Sequence, residues 1–342
     1  MTPQALRKAL ALAVQNNLPV IVKGRPGIGK SDIVAQVAAD LSYELKISHP
    51  QVSDPTDFKG FPFPDKSGER ATFLPFGDLA DLIEAKHPTI AFLDDIGQAP
   101  PAVQAALMQL LLARRVNGHM ISDHVRFVAA TNRREDLAGV SGLLEPVKSR
   151  FAAIWELEVS LDEWCLWAVE HDLPAELIGF IRFRPNLLDD FKPSRDLVNS
   201  PSPRTVANVG KWLKAGGDSL PEGIFFETVK GAAGEAFAAE FMAFMKIYRK
   251  LPNIDLVLMN PDQAEVPDDA QTLYAICAAL ANRAKDTNFD RIVKYLDRIP
   301  QETRFGVELP VFAVKDAINR DKSLTRTKAF TEWCVKYGNE AL

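Results

Sequence analysis

Cysteine is scarce. The chain has three in 342 residues, Cys165, Cys277 and Cys334, widely spaced and with neither a CxxC nor a paired Cys/His pattern. That spacing excludes a disulfide framework and a structural zinc site. Their apolar neighbours predict three buried small hydrophobes. No apolar run approaches the ~18 residues that a membrane-spanning helix needs. An excess of positive charge is missing too: 40 Lys and Arg stand against 45 Asp and Glu, a net charge of −5. A protein whose main task is gripping nucleic acid usually carries a basic face, so such a partner is not favoured, although scattered residues can still assemble one in the fold. Met1–Pro3 leads into a mixed helix without the charged-then-apolar layout of a leader, so the expected location is cytoplasmic. The five histidines do not converge by spacing, and no Ser/His/Asp or Cys/His nucleophile is suggested. Neither internal repeats nor low-complexity tracts occur.

What the chain does have is a globular composition, 47% hydrophobic and 25% charged, and a length that suggests about two domains. Thr2 and Pro3 open a helix whose buried stripe is Leu6, Ala9, Leu10, Ala13 and Val14. Leu18–Lys23 then reads as a buried strand, Ser31–Leu41 as a helix and Tyr43–Ile47 as a second strand. The proline-, glycine- and aspartate-rich stretch His49–Gly77 follows, then a helix at Asp78–Lys86, a strand at Thr89–Leu93 and a helix at Pro101–Arg115. Strands are predicted again at Val125–Ala130 and Ile154–Val159. Strands alternating with helices imply right-handed crossovers and a parallel sheet covered on both faces. After Val159 the strand signals fade. Capping boxes are predicted at Ser160/Glu163 and Ser219/Glu222, the second ahead of one long helix, Ile224–Tyr248. Helices are expected at Thr205–Ala215, Asp268–Arg283, Phe289–Arg298, Val311–Arg320 and Thr325–Gly338, with Phe191–Pro203 a loop. An α/β half therefore precedes an all-helical half. The Phe- and Met-rich stretch Phe237–Tyr248 is expected to be core or subunit contact.

Gly24-Arg25-Pro26-Gly27-Ile28-Gly29-Lys30-Ser31 satisfies G-x-x-x-x-G-K-[ST] between an apolar strand and a helix. Glycines are needed because the backbone must wrap phosphates with its N–H groups pointing inward, where side chains would obstruct the approach. Lys30 then reaches the β- and γ-phosphates, Ser31 ligates Mg²⁺, and the following helix adds its dipole. The strand Thr89–Leu93 ends in Asp94–Asp95, placing one carboxylate to hold Mg²⁺ and a second to polarise an attacking water. Val125–Ala130 runs into Thr131–Asn132, whose amide can orient that water or touch the γ-phosphate.

These signals in this order resemble the AAA+ ATPases of the dynein-related branch, and specifically the MoxR-like proteins. The segment Phe92–Val116 (FLDDIGQAPPAVQAALMQLLLARRV), with its paired prolines, and Pro26 in the phosphate loop carry the likeness, which covers roughly Leu18–Leu213. The resemblance implies an AAA+ P-loop core with a parallel sheet flanked by helices, an all-helical lid and a helical C-terminal extension, divided at residues 1–159, 160–250 and 251–342. It implies ATP and Mg²⁺ as cofactors, with Lys30 and Ser31 as Walker A contacts and Asp94 as the Walker B magnesium ligand. Asn132 becomes the sensor-1 residue. Arg150, in KSRF, becomes the arginine finger that reaches a neighbour's γ-phosphate, and Arg204, in SPRT, becomes sensor 2. It implies a homo-oligomeric ring, a hexamer, that remodels or assembles a protein client, with a von Willebrand factor A domain protein as a partner. One departure stands out: Asp95 occupies the place where the family has Glu, one methylene longer. A misplacement of about 1 Å can cost on the order of 10²-fold in rate, so slow hydrolysis is expected.

Two stretches are candidates to project from such a ring. Asp54–Pro64 carries Phe58, Phe61, Phe63 and Lys59, which either meet a client chain or pack beneath a proline-stiffened loop. Val116–Val125 has an Asn117–Gly118 turn signal for a hairpin. Two other functional classes stay open at this level. One is a nucleic-acid-associated NTPase of motor or restriction type, which also leaves ATP against GTP undecided. The other is a slow nucleotide-gated scaffold.

Overall fold

The structure, a computed structural model, describes residues 1–136, 142–194, 196–251, 253–300 and 305–341. The chain forms two compact units: Met1–Ser160 with Lys192–Arg195, and Leu161–Phe191 with Asp196–Leu342.

In the first unit α1 (Pro3–Gln15) starts where the Thr2 hydroxyl accepts from the Ala5 N–H, and it leads to β1 (Val20–Lys23). The phosphate-loop sequence separates β1 from α2 (Lys30–Leu41), and β2 (Glu44–Ser48) follows. The proline-rich stretch is more ordered than its composition suggests. An Asp54/Asp57 capping box nucleates α3 (Pro55–Lys59), and β3 (Phe61–Pro64) pairs antiparallel with β4 (Ala71–Leu74). Pro62 and Pro64 remove two N–H donors from β3, a composition suited to an edge strand. Next come α4 (Gly77–Glu84), β5 (Thr89–Leu93) and α5 (Pro101–Ala113). The hairpin of β6 (Arg115–Val116) and β7 (His119–Met120) turns at Asn117 and Gly118, both with positive φ (46° and 94°), as a two-residue turn of this kind requires. The unit closes with β8 (Val125–Thr131), α6 (Glu145–Lys148) and β9 (Ala153–Glu156).

Five strands form one sheet in the order β2-β5-β8-β1-β9, and every pairing is parallel. Alternate residues along these strands feed opposite faces. Ile21, Ala91, Leu93, Phe127 and Ala129 pack under α4 and α5, together with Val147 and Phe151 around α6. Val20, Val22, Ile90, Phe92, Val128 and Ala130 pack under α1 and α2. The expected α/β fold, a parallel sheet flanked by helices and followed by a helical region, is therefore present.

The second unit is helical: α7 (Leu161–Glu170), α8 (Ala175–Phe183), α9 (Pro203–Lys214), α10 (Glu222–Ala233), α11 (Glu235–Tyr248), α12 (Ile254–Met259), α13 (Ala270–Arg283), α14 (Phe289–Leu296), α15 (Phe305–Arg320) and α16 (Lys328–Ala341). Several expectations are corrected here. The single helix Ile224–Tyr248 is two, broken at Gly234, whose φ is 94° and where a Cβ would lie 2.8 Å from the Asn199 carbonyl oxygen. Ser219 caps nothing: its hydroxyl donates to the Gly216 carbonyl, and Pro221 precedes α10. A capping box is formed by Ser202 with Thr205, at the start of α9. Helices α8 and α12 were not expected from periodicity, and α15 begins before its internal Pro310 rather than after it. The core of this unit is aromatic. Phe180 sits edge-on to Phe237 and Phe241, with ring centroids 5.3 and 5.1 Å away. Arg182 on α8 donates to Asp316 on α15 at 3.0 Å, a buried pair that joins the two helices. No helix among the described residues is long and apolar enough to cross a membrane.

The cysteines divide differently from the expectation of three buried thiols. Cys165 and Cys277 are buried, whereas Cys334 is partly exposed. Burial pushes the Cys165 thiol up to about 12 and raises Cys277 as well. Iodoacetamide at pH 8 is expected to label Cys334 in the native protein and the other two only after unfolding. Mass spectrometry of the alkylated peptides checks this, and equal native labelling of Cys277 would contradict the packing described.

Candidate functional site

The parallel arrangement brings the carboxyl ends of β1, β5 and β8 to one edge of the sheet, where open α/β sheets bind their ligands. Gly24 follows β1 immediately, and its N–H donates to the Thr131 carbonyl at 3.2 Å, tying the phosphate loop to the end of β8. A Cβ on Gly24 would meet Ile28 Cδ1 at 2.4 Å, so a side chain here would have to displace the end of Ile28. Gly27 and Gly29 take positive φ, 78° and 96°. Those values let the loop Arg25-Pro26-Gly27-Ile28-Gly29 curl into α2, while Ile28 buries its side chain in the core beneath. Gly29 is the N-cap of α2 and has no side chain to cap its N–H groups, so the helix start faces the loop with uncapped donors.

Lys30, the first residue of α2, is buried to 7% exposure. Its ammonium donates to the carbonyl oxygens of Gly24 (3.0 Å) and Arg25 (2.9 Å) and to Asn132 Oδ1 (2.7 Å). The Asn132 amide then donates through Nδ2 to Asp95 Oδ1 at 2.9 Å. One planar amide thus spans the lysine and the second acid. Beside this chain, Ser31 Oγ donates to Asp94 Oδ2 at 2.8 Å. Sequence positions 30, 31, 94, 95 and 132 therefore converge. Asp95 sits at φ 56°, a left-handed conformation that Asp tolerates better than Glu.

This arrangement fits a magnesium nucleotide. The hydroxyl of Ser31 and the carboxylate of Asp94 form an all-oxygen pair, the kind of donor set Mg²⁺ takes together with phosphate oxygens and waters. In such a complex the curled glycine loop, the start of α2 without a side-chain cap and the buried ammonium would face the phosphates.

Arg150 follows α6, half-buried; its guanidinium touches the Ser149 hydroxyl at 3.4 Å and forms no ion pair with a described residue. Arg204 belongs to the second unit, exposed at the second position of α9 and likewise unpaired among the described residues. Arg133 behaves in the opposite way. Its guanidinium grips Asp136 with two bonds of 2.9 Å, which holds it charged and anchors the chain just after Asn132. That anchor went unread in the sequence, although acid and base three apart are a visible signal.

The two hairpins are joined. His119 Nε2 lies 2.9 Å from the Phe73 carbonyl oxygen, and Asn117 donates to the Lys59 carbonyl at 2.8 Å. Phe58 is buried in the core, but Phe61 and Phe63 are 57% and 53% exposed. Packing beneath the loop accounts for the first of these aromatics and not for the other two.

Residues 19–151 match the family described as the AAA domain, dynein-related subfamily. Over 191 residues the chain is 27% identical to midasin of Giardia intestinalis, a match that covers 52% of this chain and 4% of that much longer protein. Among solved structures, a RuvB mutant of Thermotoga maritima is 18% identical, with a TM-score of 0.43 over 81% of this chain and 82% of that one. NtrX of Brucella abortus is 13% identical, with the same score over 96% of this chain and 64% of that one.

Lys30→Ala removes the buried ammonium, and with charged hydrogen bonds worth ~1.5–3 kcal/mol it is expected to weaken nucleotide binding roughly 10- to 100-fold. Calorimetric titration of the wild type and the variant with ATP, with and without Mg²⁺, checks it. Unchanged affinity in the variant would remove Lys30 from the site.

Proposed function

We propose that the protein is an ATPase of the MoxR-like branch that works as a ring, most simply a hexamer, and uses ATP hydrolysis to remodel or assemble a protein client. The observation that carries this reading is the convergence of Lys30, Asn132 and Asp95 beside the Ser31–Asp94 pair, at the open edge of a parallel sheet. Bound Mg²⁺ would neutralise developing phosphate charge. Ser31 and Asp94 would hold it, and the Gly24–Gly29 loop with Lys30 would hold the phosphates. Asp95 accepts the proton of the attacking water, and Asn132 orients that water while keeping the carboxylate turned toward it. Arg150 serves the site of the adjacent subunit, and Arg204 reports the phosphate state to the helical region, in the role of sensor 2. Both guanidiniums lack an acidic partner among the described residues, which suits groups reserved for phosphate. Nucleotide state then biases the joined hairpins, whose exposed Phe61 and Phe63 are the client-facing elements.

The net charge of −5 weighs for a protein client over nucleic acid, and the resemblance makes a von Willebrand factor A domain protein the first partner to try. Turnover is slow on this reading. Asp95 is short, and the amide of Asn132 holds it. A nucleotide-timed scaffold is the limiting form of the same behaviour.

Sizing with ATP should show a ring in the wild type, and Arg150→Ala should lower turnover on the order of 10³-fold with cis binding intact. Asp95→Glu should raise turnover while lowering the melting temperature, because Glu accepts the left-handed φ less readily. A monomer under all conditions together with a fully active Arg150→Ala would sink the ring. An inactive but ATP-binding Asp95→Glu would show that the carboxylate is already well placed.

A further inference from the structure

Gln104 is a polar side chain at the centre of an apolar helix. It sits on α5 between Val103 and Leu107, and all three are 1% exposed or less. A buried amide is tolerated only when it is hydrogen-bonded, and this one is used at both ends. Its Nε2 donates to the Ala99 carbonyl and the Gly142 carbonyl, each at 3.0 Å, and its Oε1 accepts from the Leu144 N–H at 2.9 Å. The backbone adds a parallel link, the Gly142 N–H donating to the Gly97 carbonyl at 3.3 Å.

The two segments joined in this way have different duties. Residues 97–99 continue directly from Asp95. Leu144 is the residue from which α6 starts, without a side-chain cap of its own. From α6 the chain runs through Ser149 to Arg150, with Val147 and Phe151 seated in the core beside α5. One amide therefore spans the segment that follows the acid of a subunit's own pocket and the segment that carries its guanidinium toward another pocket.

We propose that Gln104 is a positioning residue, which fixes the placement of Arg150 by tethering the segment that leads into α6. This rests on the reading of Arg150 as acting in trans. A leucine at 104 has similar bulk and leaves the core filled, but it abandons the Ala99 and Gly142 carbonyls and the Leu144 N–H. The segment before α6 loses its tether, and a shift of about 1 Å at the guanidinium is enough to cost on the order of 10²-fold.

The test uses mixed assemblies. Arg150→Ala subunits have an intact pocket but no guanidinium to give, and Lys30→Ala subunits have an impaired pocket and an intact Arg150. Mixing the two should restore turnover. Adding Gln104→Leu to the Lys30→Ala donor should reduce that restored turnover on the order of 10²-fold. Adding it instead to the Arg150→Ala recipient should leave ATP affinity and most of the restored rate in place, which a general loss of folding would not do. Gln104→Glu, which keeps the acceptor for Leu144 and loses both donors, should fall between. Full rescue by the Gln104→Leu donor would overturn the proposal. Failure of the simple Arg150→Ala and Lys30→Ala mixture would remove the trans reading, and this inference with it.

Discussion

A single ammonium group organises the first unit. Lys30 Nζ is buried, and an ion so placed needs strong acceptors around it. It finds them in two carbonyls of its own loop and in an asparagine 102 residues further along the chain. The bond to Asn132 makes the nucleotide loop, the end of β8 and, through the other half of the amide, Asp95 into one connected set. A phosphate that draws the ammonium toward itself must also disturb Asn132, and through it the acid. On the proposed reading, binding and chemistry are linked by this hydrogen-bond chain, without any requirement for a large rearrangement of the sheet.

That chain exists only because the sheet is parallel. In the order β2-β5-β8-β1-β9 the strands end on one edge, so Gly24, Asp94 and Asn132 meet although they are far apart in sequence. The same order places the helices α4 and α5 on one face and α1 and α2 on the other, and both faces are packed with the alternating apolar residues of the strands. Two hairpins joined through His119 and Asn117 present exposed aromatics, and Gln104 holds the approach to α6.

Much of this was legible because it is local. An apolar strand, a glycine loop and a helix announce themselves by period and composition, as do the strand ends bearing Asp94–Asp95 and Asn132. Where longer-range packing decides, the sequence was a poorer guide. Gly234 breaks a helix because Asn199 crowds it from another segment, and nothing near Gly234 says so. Pro310 lies inside α15 and looked like its start. Asp54 and Asp57 cap a short helix in a stretch that composition alone reads as irregular. The role of Gln104 depends on partners that only the fold reveals, and the link between Asn132 and Asp95 is likewise invisible along the chain.

The account turns on Asn132 and Asp95 working as one unit, and a double-mutant cycle measures that directly. Single-turnover hydrolysis would be compared for the wild type, Asn132→Ala, Asp95→Ala and the double variant, each saturated with ATP and Mg²⁺. Residues that act together are strongly non-additive, so the double variant should be scarcely slower than the worse single one. Losses that multiply across the two substitutions would show that Asn132 and Asp95 act independently, and would contradict the account.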